Sequence, residues 1–313
     1  MLVKIGRILR GQVTKPELYI YIFVLLVAAY VVLALALPPN QATLKKYDLT
    51  ESELRLLSLT LIVPLIIIWF TALYGYLRFK AYAEVIKTSN EGTSFNHLAD
   101  GLMVLAFGMP VTAIISSVLG EMMRQHNNLT PVATICRNYI SLLFFIVAFV
   151  LIAKGANGLM QTLRPQAPAY PRYGGFGVLV LSSVFTAMVI GRPESGNSGS
   201  IYYLPDWLIV LTLVIPYLFV WCTGLLAAYH LYVYKSRVRG TIYKQAFNNL
   251  ALGIAAIVVI SIVLQFLTTI TEQLNRLHLT PILLILYVLV GLYAVGYGLV
   301  ARGAKKLRKI EEV

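Results

Sequence analysis

The chain has 313 residues, of which 58% are hydrophobic and only 12% charged, and its mean hydropathy of +0.77 excludes an ordinary soluble domain. Apolar runs of roughly 20 residues, enough to cross a bilayer core, fill most of it, and the alternating polarity of β-barrel strands is absent. The formal net charge of +13 is spread between these runs rather than gathered beside aromatic stacking positions, so it does not indicate nucleic-acid binding.

The first segment, residues 1–17, combines Lys4, Arg7, Arg10 and Lys15 with apolar residues at helical spacing. That pattern is typical of an amphipathic helix lying on an anionic membrane surface. The apolar run after it lacks a small-residue cleavage motif and is long enough to span. Eight membrane-spanning helices are predicted, followed by a basic tail over 305–313; their ranges are about 18–37, 55–79, 96–123, 137–160, 175–191, 206–234, 247–272 and 281–302.

The distribution of lysine and arginine predicts how these helices are oriented. An even number of spans places both termini on the same side of the membrane. With both termini inside, the cytoplasmic segments hold 19 lysine and arginine residues and the opposite segments hold 7. Positive charge is retained on the cytoplasmic side of membrane proteins. The sequence therefore predicts a multi-pass protein of the cell membrane with its N-terminus and C-terminus in the cytoplasm.

Two halves of the chain resemble each other, and two of their stretches match at the same offset of 152 residues. Leu59–Leu73 and Leu211–Leu225 are identical at seven of fifteen positions, and FNHLADGL from Phe95 aligns with FNNLALGI from Phe247. The last helix of each half ends in a related stretch, LIAKGANGL and LVARGAKKL. Because each half has four spans, both halves enter the membrane from the same side. The predicted fold is an all-α membrane protein of two parallel four-helix repeats, 18–163 and 172–304.

The repeated stretch suggests a pocket or a packing axis between the halves. A proline inside a helix frees one carbonyl and bends the helix, so the two repeated prolines either kink it for packing or open a pocket. The repeated tryptophans lie at mid-membrane depth, where the indole N–H needs a partner. Symmetric packing and ligand stacking both remain open. The candidate residues are Pro64, Trp69, Thr71, Pro216, Trp221, Thr223 and Gln265.

A second candidate site lies at the cytoplasmic ends of the predicted third and seventh helices. The asparagine of each Phe-Asn element either caps its helix or, with nearby basic residues, helps to bind a lipid phosphate or another anion at a helix N-terminus. The halves differ here, because Asp100 corresponds to Leu252. The candidate headgroup or anion contacts are Asn96, Asn248, Lys235, Arg237, Arg239 and Lys244.

Residues that could carry chemistry are scarce. The chain has no GxSxG, HExxH or P-loop motif, and its histidines lack metal-ligand or haem-ligand spacing, so we predict no metal and no cofactor. His230 with Asp100 is the best pair for an intramembrane enzyme. Small residues at Gly291, Ala294, Gly298 and Ala301 form a face that suits either an internal seam or an oligomer contact.

These observations favour a membrane protein without enzymatic activity. We expect a scaffold, assembly partner or sensor whose partners are membrane lipids at a basic cytoplasmic face, and a second copy or other membrane proteins at its small-residue faces. The alternative is a transporter or channel that carries a small or apolar solute along the axis between the halves. A membrane enzyme is the third possibility, since no base and nucleophile stand out.

Overall fold

The computed structural model describes residues 15–37, 50–86, 90–125, 130–163, 215–273 and 279–309, and these form seven α-helices. Each of the seven is long and apolar enough to cross a bilayer, so the prediction of an all-helical multi-pass membrane protein is confirmed at that level. The helices are α1 (Lys15–Ala36), α2 (Glu51–Val85), α3 (Asn90–Gln125), α4 (Thr130–Leu163), α5 (Ile215–Arg237), α6 (Thr241–Gln273) and α7 (Leu279–Lys309).

The helices extend beyond the apolar runs from which they were predicted. α2 runs to Val85 rather than to about 79, and α3 begins at Asn90 rather than at about 96. A helix satisfies its own backbone hydrogen bonds, so it continues past the hydrocarbon boundary into polar sequence. The predicted fifth span at 175–191 and the start of the sixth at 206–214 lie outside the described residues, as does most of the N-terminal segment.

Six of the helices close into a ring. Each of α2 to α6 packs against the next helix in the chain, and α7 packs back against α2. The hydroxyl groups of Thr60 on α2 and Tyr287 on α7 hydrogen-bond across the closing contact. α1 lies outside the ring, against α2 and α3. The buried core therefore lies inside the ring, while α1 covers one sector of its outer wall.

Aromatic side chains attach α1 to the ring. Phe23 is fully buried, and its ring centroid lies 5.2 Å from that of Phe70 on α2 and 5.5 Å from that of Phe107 on α3. Tyr30 makes an edge contact with Trp69 at 5.2 Å. Edge-to-face pairs at these distances stabilise packing beyond simple area burial. The rest of α1 is apolar and exposed, as expected for a helix that faces lipid.

Glycines permit the closest helix contacts inside the ring. A Cβ added to Gly101 on α3 would lie 2.7 Å from the carbonyl oxygen of Ala148 on α4. A Cβ added to Gly253 on α6 would lie 2.7 Å from the carbonyl oxygen of Gly296 on α7. Small residues let helix backbones approach in lipid, where area burial supplies little attraction. The α3–α4 and α6–α7 contacts are therefore backbone contacts that no side chain can enter.

The N-terminus of α2 is fixed by its own side chains. The Thr50 hydroxyl accepts the Glu53 N–H at 3.3 Å, and the Glu53 carboxylate accepts the Thr50 N–H at 2.8 Å, which is a complete capping box. The hydrogen bonds from the Thr50 backbone and side chain lower the pKa of the Glu53 carboxyl. The cap is consequently formed at neutral pH and weakens only as the pH falls through that lowered pKa.

Candidate functional site

The candidate site lies at one end of the bundle, which we call the basic end. There α2, α4, α5 and α7 end, and α1, α3 and α6 begin. A few acidic side chains, among them Glu91 and Asp100, lie among many basic ones. The basic side chains described at this end are Arg78, Lys80, Lys154, Lys235, Arg237, Arg239, Lys244, Arg302, Lys305 and Lys306.

Two lysine–asparagine pairs mark the basic end. Lys80 on α2 donates to the Oδ1 atom of Asn96 on α3 at 3.0 Å. Lys235 on α5 donates to the Oδ1 atom of Asn248 on α6 at 2.7 Å. Both asparagines come from the Phe-Asn elements, while the lysines precede them by 16 and 13 residues. The two predicted asparagines thus each hold an ammonium group in place.

Neither asparagine caps its helix. α3 begins at Asn90 and α6 at Thr241, so Asn96 and Asn248 lie almost two turns inside. Asn96 also donates from Nδ2 to the carbonyl oxygen of Gly92 at 3.1 Å, a contact within the same helix. The expectation that capping explains these residues is therefore wrong. Cross-helix contacts with lysine are their role in the described structure.

The two pairs differ in their surroundings. Asp100 places Oδ1 3.7 Å from the Nζ atom of Lys80, so the first pair includes a carboxylate. Leu252, at the matching position of α6, is half exposed and apolar. Lys235 instead lies with its Nζ atom 4.7 Å from the centre of the Tyr232 ring, a cation–π contact. The first pair is charge-balanced and the second is cationic.

The turn between α5 and α6 carries the other predicted basic residues. Arg237, Arg239 and Lys244 are exposed, and Gly240 between them has a φ of +98°, a conformation that favours glycine. The Lys244 N–H donates to the Gly240 carbonyl at 3.1 Å, which tightens the first turn of α6. We call residues 235–244 the basic turn. Its charges therefore project from a compact connection at the end of the membrane spans.

At the basic end, four aromatic side chains connect α2 and α3 with α5 and α6 across the ring of helices. Phe95 on α3 and Phe247 on α6 lie 6.1 Å apart, centroid to centroid. Tyr82 makes an edge contact with Phe95 at 4.8 Å, and Tyr234 makes one with Phe247 at 4.6 Å. We call these four residues the aromatic box. Phe95 and Phe247 open the repeated element and were therefore visible as a repeat, but their pairing was not predicted.

A hydrogen bond ties the aromatic box to the start of α3. The Tyr234 hydroxyl donates to the Glu91 carboxylate at 2.8 Å, which links residues 143 positions apart. We expect Tyr234→Phe to lower the free energy of unfolding by about 1 kcal/mol, because it deletes one hydrogen bond and keeps the buried ring. Tyr229→Phe, at an exposed ring on the same helix, should leave stability unchanged. Thermal unfolding of purified protein in detergent compares the two, and equal midpoints would show that this hydrogen bond contributes nothing.

Four of the seven predicted pocket residues, the two tryptophans with Pro216 and Thr223, are buried in the described structure. Trp69 is 2% exposed and touches Tyr30, and Trp221 is 9% exposed and lies 5.8 Å from the Tyr217 ring. Thr71 donates its hydroxyl to the Ile67 carbonyl, one turn back in α2, at 2.7 Å. Pro64 is half-buried within the continuous α2, while Pro216 and Thr223 are buried in α5. Gln265 lies on α6, and its side chain is outside the described structure.

The described centre of the ring holds a cavity of only about 10 Å³. No predicted pocket residue with a described side chain lines it. Water needs roughly this much space and two to four polar partners, and every lining residue here is apolar, so the cavity is dry. Its lining residues are Phe79, Leu98, Leu102, Ile152, Leu231, Leu250, Ile254 and Val300.

The structure does not bring the candidate enzyme pair together. Asp100 pairs with Lys80, whereas the His230 ring lies 6.1 Å from the ring of its neighbour Tyr229. The Nδ1 atom of His230 is buried without a partner among the described residues. Within the same residues, no three histidine, cysteine, aspartate or glutamate side chains are grouped to hold a metal ion.

Comparison with known proteins adds no relative. No family model matches the chain, and neither a curated protein nor a solved structure matches it.

Proposed function

We propose that this chain is a non-enzymatic scaffold of the cell membrane, an assembly partner or sensor that contacts anionic lipid through its basic end. The observation that carries the proposal is the contrast between its centre and that end. The described cavity where the six ring helices meet is small and lined only by apolar side chains, while the polar and charged groups gather at the ends of the helices. A protein built this way offers surfaces rather than a passage or a reaction chamber.

The same proposal includes two parallel four-helix repeats. Three kinds of contact support it, because each recurs between corresponding residues of the two halves. Gly101 meets α4 as Gly253 meets α7, at the same 2.7 Å to a carbonyl oxygen. Tyr82 meets Phe95 as Tyr234 meets Phe247, and both residues of the first pair lie 152 positions before their counterparts. The cavity lining likewise consists of four matched pairs, such as Leu98 with Leu250.

The helix ring has the connectivity expected of such a duplication. α2, α3 and α4 correspond to α5, α6 and α7, and the two joining contacts, α4 with α5 and α7 with α2, correspond to each other. A twofold axis along the membrane normal relates parallel repeats. We place both termini in the cytoplasm, because the basic end then faces the side that retains positive charge.

Anionic lipid is the partner proposed for the basic turn. A basic residue near an anionic membrane surface contributes roughly 1 kcal/mol to the attraction. We therefore expect Arg239→Gln to reduce the anionic phospholipid retained after purification about fivefold, the ratio that corresponds to 1 kcal/mol. Native mass spectrometry measures the retained lipid. Arg55→Gln, at the opposite end of α2, is the matched control, and equal loss in both variants would argue against a lipid contact at the basic turn.

The small-residue face of α7 is the surface proposed for a second copy or another membrane protein. A Cβ added to Gly291 or Gly298 would meet no atom within 4 Å, so this part of the face is open. Ala301, further along, is buried against Gly75 on α2 and belongs to the ring instead. Close backbone approach at open glycines is what drives helix association in lipid.

A transporter or channel remains the alternative, and the dry centre counts against it. We expect purified protein in liposomes to show no saturable uptake of amino acids, sugars or small apolar solutes above empty liposomes. Saturable uptake in liposomes with protein, abolished by a bulky replacement at the cavity such as Leu102→Trp, would overturn the scaffold proposal. Stopped-flow and filter-binding measurements of solute entry provide the readout.

A further inference from the structure

We propose that Lys80 and Asp100 form a binding site for a lipid headgroup that carries both a phosphate and a primary ammonium group. The matching Lys235–Asn248 pair takes purely anionic headgroups. This inference rests on the lipid contact proposed above and deepens it, because it assigns different headgroup chemistry to the two halves. The chemistry it names is that of phosphatidylethanolamine, in which a phosphate and an ammonium are joined by two carbons.

Neither charge of the first pair is saturated by the protein. The Lys80 ammonium has three N–H donors, of which one reaches Asn96 at 3.0 Å and another faces Asp100 at a long 3.7 Å. The Asp100 carboxylate has about four acceptor positions and, among the residues that the structure describes, one long contact, which is to Lys80. The side chains are 35% and 40% exposed. An ammonium and a carboxylate therefore stand side by side with open hydrogen-bonding capacity.

The position of this pair favours a lipid over a dissolved compound. Lys80 and Asp100 lie inside the apolar spans Ile62–Val85 and Glu91–Met122 rather than in a connecting loop. Asp100 is about 15 Å along the axis from the start of α3, at 1.5 Å per residue. Charged groups at such a level are costly unless they meet polar partners, which headgroups supply from the membrane surface.

An exposed apolar face of α2 lies beside the pair. Val63, Ile67 and Tyr74 are exposed on this face, about a third of a turn around the helix from Lys80. The acyl chains of a lipid held at the pair would therefore enter the bilayer beside this face. The lipid phosphate would lie against the Lys80 ammonium and the lipid ammonium against the Asp100 carboxylate, so each of the two contacts would join opposite charges.

The second half shows what the site becomes without its acid. Lys235 bonds to Asn248 as Lys80 bonds to Asn96, but Leu252 occupies the position of Asp100. The basic turn adds Arg237, Arg239 and Lys244 and no acidic residue. A headgroup with an ammonium gains nothing there, whereas one with a bare negative charge is attracted. The aspartate in the first half and the additional cations in the second half thus separate two related sites.

The test exchanges that one residue between the halves. Full-length wild type, Asp100→Leu, Asp100→Asn and Leu252→Asp are purified from equal mixtures of phosphatidylethanolamine and phosphatidylglycerol, and native mass spectrometry gives the ratio of the lipids retained. We expect Asp100→Leu and Asp100→Asn to lower the ethanolamine-to-glycerol ratio about fivefold, which corresponds to one charged hydrogen bond of about 1 kcal/mol. Leu252→Asp should raise the ratio.

Asp100→Asn keeps the shape of the side chain and one acceptor oxygen while removing the charge, so it supplies a folded protein if the leucine variant does not fold. An unchanged ratio in Asp100→Asn would overturn the inference. Displacement of the retained phosphatidylethanolamine by an equal concentration of free phosphoethanolamine would overturn the assignment to lipid. If wild type retains phosphatidylglycerol but shows no dependence on Asp100, this inference fails and the proposed lipid contact stands. If wild type retains neither lipid, both fail.

Discussion

Replacing Gly101 or Gly253 with alanine is expected to lower the free energy of unfolding by about 2 kcal/mol, and by similar amounts at the two positions. The physical reason is the same at each. A new Cβ would lie 2.7 Å from the carbonyl oxygen of Ala148 or of Gly296, a separation that real Cβ atoms avoid. A backbone oxygen cannot rotate away as a side chain can, so the two helices must move apart.

The chain offers a control that isolates this contact. Gly120→Ala adds the same methyl group to the interior of α3 at a position where it meets no atom within 4 Å, so only the intrinsic helix preference for alanine remains. Thermal unfolding of each purified variant in detergent, followed by size-exclusion chromatography, gives the comparison. We expect the control to match or exceed wild type. A loss at Gly101 with none at Gly253 would argue against equivalent halves, and no loss at either would show that the helices are not in close contact.

The sequence was sufficient to predict an all-helical membrane protein. The thickness and apolar character of the bilayer determine the length and composition of a spanning helix, and the detailed packing of side chains does not. Apolar runs such as that at Leu142–Thr162 could be read directly as spans. The helix ends were less accessible to prediction. α3 begins at Asn90, six residues before the predicted start at 96. Its polar first residues form backbone hydrogen bonds within the helix, and a hydropathy pattern detects only the apolar part of a helix.

The candidate site could be predicted only in part, for reasons of side-chain reach. Asn96 and Asn248 were found because they are repeated, and both do contact cations in the structure. Lys80 was missed as a partner because it corresponds by offset to Tyr232, not to Lys235. A lysine side chain spans more than one helical turn, so two lysines at unmatched positions reach matched asparagines. Residue-by-residue alignment of the halves cannot detect such a pairing.

The central residues illustrate a different limit. Trp69 and Trp221 stood out because they are repeated, yet the small cavity is lined by leucine, isoleucine, valine and phenylalanine instead. Those residue types are so frequent in membrane spans that repetition among them carries little information. The tryptophans pack with tyrosines, Tyr30 on another helix and Tyr217 on the same helix. Repetition therefore identified corresponding residues of the two halves. Which of those residues meet at the centre depends on how the six helices pack into a ring.

Cysteine labelling in intact cells is expected to give an all-or-none result for the proposed orientation. In a background without native cysteines, Arg239→Cys places a thiol on the exposed basic turn, and Ser52→Cys places one on the exposed start of α2 at the opposite end. Because positive residues are retained in the cytoplasm, a membrane-impermeant maleimide should label position 52 and not position 239. Permeabilised cells should show labelling at both.

The two substitutions control for each other, because both positions are exposed and each substitution replaces one polar side chain with cysteine. Removal of one positive charge at position 239 leaves Lys235, Arg237 and Lys244 in the same turn, so the charge bias that fixes the orientation is preserved. Labelling of position 239 in sealed cells would overturn the proposed topology. It would also place the basic turn on the outer face, where the anionic leaflet that the lipid proposal requires is absent. The same pair of thiols therefore tests the orientation of the chain and the leaflet in which its proposed lipid contacts lie.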